Sequence, residues 1–68
     1  MKATFDKAAD AAYIYFKSPL GKGEVKRTIA FEENVLLDFD KDNKLIGIEI
    51  LNASKVIPKR GISELASA

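Results

Sequence analysis

Two runs in which every second residue is apolar constrain this chain more than any other feature: Val35, Leu37 and Phe39, and then Ile46, Ile48 and Ile50. A period of two puts side chains on one face of an extended strand, whereas a helix needs its apolar residues three or four apart. Leu36, Asp38 and Asp40 fall on the opposite face of the first run, and Leu45, Gly47, Glu49 and Leu51 on that of the second. Lys41-Asp42-Asn43 between them has the composition of a turn. Upstream, Lys2 to Asp6 alternates polar and apolar, and Ala12-Tyr13-Ile14-Tyr15-Phe16 is β-branched and aromatic on both faces, as an internal strand requires. A helix from Asp6 to Phe16 would use the alanines well, but the Tyr-Ile-Tyr-Phe run opposes it, which leaves at most a helical turn at residues 7–10. Val25, Arg27, Ile29 and Phe31 form one side of a further strand, with Lys26, Thr28 and Ala30 on the other. The pattern predicts antiparallel strands near residues 2–6, 11–17, 24–31, 35–39 and 44–51.

Ser18-Pro19-Leu20-Gly21-Lys22-Gly23 is the main loop, since proline and glycine punctuate regular structure. Glu32-Glu33-Asn34 reads as a tight turn in which Asn34 adopts positive φ, so the strands on either side pair as a hairpin. Asn52 is placed to cap a short helix from Ala53 to Ile57 that stops near Pro58. Ile62-Ser63-Glu64-Leu65-Ala66 offers a last amphipathic turn, ordered only if it docks, because isolated helices of that length are marginal in water. The expected class is α+β, mainly β: an antiparallel five-stranded meander with a short C-terminal helix. Residues 1–57 are expected to form one domain and residues 58–68 a tail, docked or not.

At 68 residues, with no cysteine and no histidine, the chain has one small core and neither a disulfide nor a zinc site built on those residues to reinforce it. Oligomerisation is therefore an expected source of further burial. Lys2, Asp6, Lys7 and Asp10 interrupt the N-terminus early, and no apolar run approaches the ~20 residues of a membrane span, so the expected location is cytoplasmic. A net charge of +1 gives no general attraction for nucleic acid. The charge is unevenly spread, with six basic against three acidic side chains in residues 1–30 and six acidic against two basic in residues 31–50. We read that asymmetry as cross-strand neighbours; steering of self-association or of a partner is the sharper alternative.

Three constellations suggest chemistry. Asp38, Asp40, Asp42 and Glu49 have the spacing of an EF-hand calcium loop, with Glu49 in the twelfth place. Asn43 stands where that loop usually has glycine, and the flanks read as strands rather than helices. The preferred reading is an acidic hairpin turn that stays solvated, with weak calcium binding as the alternative. Asp6 and Asp10 form a carboxylate pair of the kind acid–base catalysis uses, but aspartates at the two ends of a turn are more often there to bond free N–H groups. Phe5, Tyr13, Tyr15, Phe16, Phe31 and Phe39, with Lys26 and Arg27, would suit a base-stacking platform, yet a small sheet needs that many aromatics for its core. No catalytic residue, cofactor or metal is assigned. An enzyme that assembles its site only in an oligomer stays open as an alternative.

Phe5-Asp6-Lys7-Ala8-Ala9-Asp10-Ala11-Ala12-Tyr13-Ile14 and Gly47-Ile48-Glu49-Ile50-Leu51-Asn52-Ala53-Ser54 together resemble a short prokaryotic domain family of unknown function, number twenty-two eighty-three. The likeness covers about residues 1–57, with Phe5 where many relatives have tyrosine and Asn43 where many have glycine. It implies a small β-meander with a terminal helix and supplies no activity or site residues. It also makes an antitoxin-like role conceivable, with a small toxin as protein partner. The functional expectation is a binding module that associates first with itself, as a dimer, and then with a small protein partner. The motive is that one short helix cannot cover both apolar faces of a five-stranded sheet.

Overall fold

The computed structural model describes residues 2–67. Five antiparallel strands, β1 (Lys2–Asp6), β2 (Ala11–Tyr15), β3 (Arg27–Glu32), β4 (Val35–Phe39) and β5 (Leu45–Leu51), precede two helices, α1 (Ala53–Val56) and α2 (Lys59–Ser67). The strands lie in the order β1-β2-β5-β4-β3. That corrects the expected meander, because only β3-β4-β5 run as one. β2 pairs with β5, Ala12 opposite Ile50 and Ile14 opposite Ile48, instead of with β3.

The reason is in the side chains. β2 is apolar on both faces, and β5 carries Ile46, Ile48 and Ile50, so setting these two side by side gives each a neighbour on both flanks. β3, with Arg27, Thr28 and Glu32, is left at the edge, where charge is cheap to solvate. Residues 16–26 must then travel from β2 past β5 and β4 to β3, about 14 Å at three strand spacings. The ends of that connection are tied down: Phe16 N–H donates to the Ile46 carbonyl and Lys26 N–H to the Phe39 carbonyl. Within it, Glu24 accepts from Gly21 N–H and pairs with Lys17.

Several local expectations change. The 7–10 segment is a turn closed by Asp10 N–H to the Lys7 carbonyl, with Asp10 itself at φ 51°. Positive φ falls on Asp10, Asn43, Asn52 and Gly23, not on Asn34. Asn52 does not cap α1 with its side chain, which donates instead to Asn34 Oδ1. Asp10 does that work from the β1–β2 turn, accepting Ser54 N–H on Oδ1 and Ser54 Oγ–H on Oδ2, while its carbonyl takes Ala53 N–H. A bulge between Ala30 and Glu32 breaks the simple alternation predicted for β3, so Glu32 faces Val35 across the hairpin.

The core lies between one sheet face and the helices. Ala12, Ile50 and Ala53 are its buried centre, with Phe5, Ile14, Ile48, Ile57, Ile62 and Leu65 packed around them. Lys59–Ser67 therefore forms a full helix seated against β1, and the docking that its order needs is supplied by Ile62 and Leu65.

Candidate functional site

The opposite face of the sheet, away from the helices, carries Thr4, Tyr13, Glu49, Asp38 and Thr28. Directly opposed residues share a face, and following the pairs from β1 to β3 sets Thr4 beside Tyr13, Tyr13 beside Glu49, and Gly47 beside Asp38, with Thr28 next. Asp38 is the one buried charged residue among those described, 2% exposed. Burial of a bare carboxylate is costly, and here donors offset it: Tyr13 Oη–H at 2.7 Å to Oδ2 and Thr28 Oγ–H at 2.6 Å to Oδ1.

Tyr13 reaches Asp38 by crossing β5 at Gly47. A Cβ on Gly47 would stand 2.0 Å from Tyr13 Oη, so only glycine leaves room for the ring. Glu49 lies alongside. Burial pushes its carboxyl pKa up, and a hydrogen bond and repulsion from Asp38 push it further, so Glu49 keeps its proton where free glutamate would lose it. The Tyr13 phenol is also raised, first by burial and then by the bond to Asp38 and the charges of Asp38 and Glu49. Asp38 is thus the shared acceptor of Tyr13 and Thr28.

A shallow groove of about 170 Å³ opens beside this network, between β1, β2 and β5, lined by Thr4, Asp6, Ala11, Tyr13, Glu49 and Leu51 among others. Tyr13 points its proton at Asp38 rather than into the groove, and the Asp38 bond that helps hold the Glu49 proton lies on the same side. The arrangement is what a buried polar network needs to be satisfied.

The sequence profile of the family described as "Protein of unknown function (DUF2283)" matches residues 2–54. The chain belongs to the DUF2283 family. No curated protein and no solved structure matches it.

In this DUF2283 chain the four residues spaced like a calcium loop are divided. Asp38 and Glu49 belong to the sheet network, while Asp40 Oδ1 closes the β4–β5 turn by accepting Asp42 N–H and Lys44 N–H. Those bonds, Lys44 N–H first, hold the Asp40 carboxyl below its ordinary pKa. Among the described residues no three acidic side chains converge as a metal site would. Asp6 accepts Ala9 N–H at the other end of the first turn from Asp10, so the pair serves backbone groups.

The aromatics divide as well. Tyr13 and Tyr15 meet on the polar face with ring centroids 4.5 Å apart and planes tilted by 52°, Phe5 packs in the core, Phe39 lies under Arg27, and Phe31 is 66% exposed at the bulge. Asp38 is therefore not the solvated turn residue that its spacing suggests, and no local motif in the sequence alone marks Tyr13, Thr28 and Gly47 as its neighbours. The signal existed in the alternation, but it becomes a cluster only once β5 is placed between β2 and β4.

Proposed function

We propose that this domain acts by association, first with a second copy of itself, through the β3–β4 side of the molecule. One observation carries the reading. The helices pack on the β1, β2 and β5 part of the apolar face, whereas Ile29 and Phe31 on the edge strand β3 are exposed. A domain this small has little core to spare, so covering those side chains adds burial that the monomer lacks. Closed two-fold pairing is the commonest way to do it. Sedimentation equilibrium across about 1–200 µM tests the reading, since weak specific contacts have dissociation constants within that range. A concentration-dependent monomer–dimer curve is expected. A chain that stays monomeric to the top of the range overturns it. A small protein partner is a competing occupant of the same side, and it would show as dissociation of the dimer on titration with that protein.

A further inference from the structure

Resting on that reading, we propose that the joint between copies is β3 itself, paired edge to edge with the β3 of a second copy about a two-fold axis at Ile29, to give one continuous ten-stranded sheet. All six residues of β3 are exposed, and it is an edge strand whose outer backbone groups have no neighbour in the sheet.

The backbone directions follow from the bonds already formed. Leu51 N–H donates to the Asn34 carbonyl beside the Val35–Ile50 pair, so Val35 and Ile50 do not bond each other and Leu36 bonds β5. Alternation then turns Leu37 toward β3, where it bonds Ile29, and leaves the N–H and C=O of Thr28 and Ala30 pointing outward. An antiparallel two-fold joint needs a strand that matches its own reverse, outward groups included. With the axis at Ile29, Thr28 meets Ala30 of the partner subunit and both exchange their outward backbone bonds.

The bulge makes the charges match too. By plain alternation Arg27 and Glu32, five residues apart, would lie on opposite faces. Because the bulge removes one residue from the count, Glu32 opposes Val35 and so shares the apolar, helix-side face with Arg27, which opposes Phe39. In the joint Arg27 therefore stands across from the partner's Glu32, once at each end, with Ile29 against the partner's Ile29 between them. Arg27 is already held in place, its guanidinium 4.6 Å over the Phe39 ring and bonded to Asn43 Oδ1, with donors left over. Lys26 and Glu33 extend the same basic-to-acidic order one step outward at each end.

The natural chain has no cysteine, which permits a test of register. On the axis, the Ile29 Cα atoms of the two copies would be about 4.5 Å apart in a non-bonded pair, within disulfide reach; those of Ala30, one step off axis, would be about 8 Å apart, beyond it. Under mild oxidation the Ile29→Cys dimer should cross-link at least about tenfold faster than the Ala30→Cys dimer. Separately, Ala30→Pro removes an outward N–H at an edge position, which the fold tolerates, and should weaken dimerisation by about tenfold or more. Circular dichroism shows whether that variant is folded, and the cysteine pair stands without it. A dimer in which Ile29→Cys and Ala30→Cys cross-link alike, or in which folded Ala30→Pro changes nothing, overturns the β3 joint and leaves association through another surface. A monomer throughout overturns both readings.

Discussion

Asp38 is a residue whose burial makes sense only through its neighbours. Its carboxyl group sits under the sheet surface because Tyr13 and Thr28 donate to it, with Glu49, its own pKa raised by burial and by Asp38, alongside. Tyr13→Phe removes one donor from a buried acceptor and should cost about 1–3 kcal/mol in urea denaturation. Gly47→Ala should cost roughly 2–3 kcal/mol, since the methyl group takes the space of Tyr13 Oη and the bond to Asp38 is lost with it. The two effects share a cause, so Tyr13→Ala should remove most of the additional loss from Gly47→Ala in a double-mutant cycle. Glu49 gives a pH signature. Its pKa is raised above the ordinary 4.5, so between that value and the raised one the folded chain binds more protons than the unfolded chain. The stability that its proton supplies is present in full below pH 4.5 and is lost as pH rises through the folded pKa. Glu49→Gln keeps a donor toward Asp38 at every pH. Its stability advantage over the parent should therefore grow as pH rises from about 4.5 and then level off; an advantage independent of pH would contradict the assignment.

Among the elements, α1 shows how far a short helix depends on what lies outside it. Four residues long, it has no side-chain cap from Asn52, and the carboxylate of Asp10 on the distant first turn supplies one through Ser54. Asp10→Ala should cost about 2 kcal/mol in thermal or urea unfolding, combining the lost cap with alanine's poorer tolerance of φ 51°. Asp10→Asn, which tolerates that φ and keeps one acceptor, should cost well under half as much. The strands were legible from period-two alternation to within a few residues, because β-strands advertise their faces in one dimension. The caps were not, since Asp10 and Ser54 are 44 residues apart and nothing local in either distinguishes a cap from a turn residue. The β3 bulge escaped for a related reason: Phe31 looks like one more apolar member of the alternation until Glu32 is found opposite Val35. Helix α2 read as a single amphipathic turn because its intrinsic propensity is modest; Ile62 and Leu65 against β1 supply what propensity does not.

At the scale of the whole molecule, the least extent of 17 Å is that of a sheet with a single layer of helix, which leaves the Tyr13–Asp38 face without a second layer. The family-specific segments opening at Phe5 and closing at Ser54 lie far apart in sequence yet meet in space, since Ala11 opposes Leu51 and Asp10 holds Ser54. The resemblance was therefore legible before the reason for it, which is the β2–β5 seam. That seam also sets an order of events. The β1–β2 hairpin and the β3-β4-β5 meander are each built from local contacts, but neither owns the core until the last strand slots in beside the second. During synthesis the apolar β2 must wait, its flank open, while the polymerising chain supplies some 30 further residues, and loop closure of that length is slow compared with hairpin formation. A nascent chain halted before β5 would expose two unfinished sheets with adhesive flanks, and should be recovered as aggregate or on chaperones rather than as a soluble fragment.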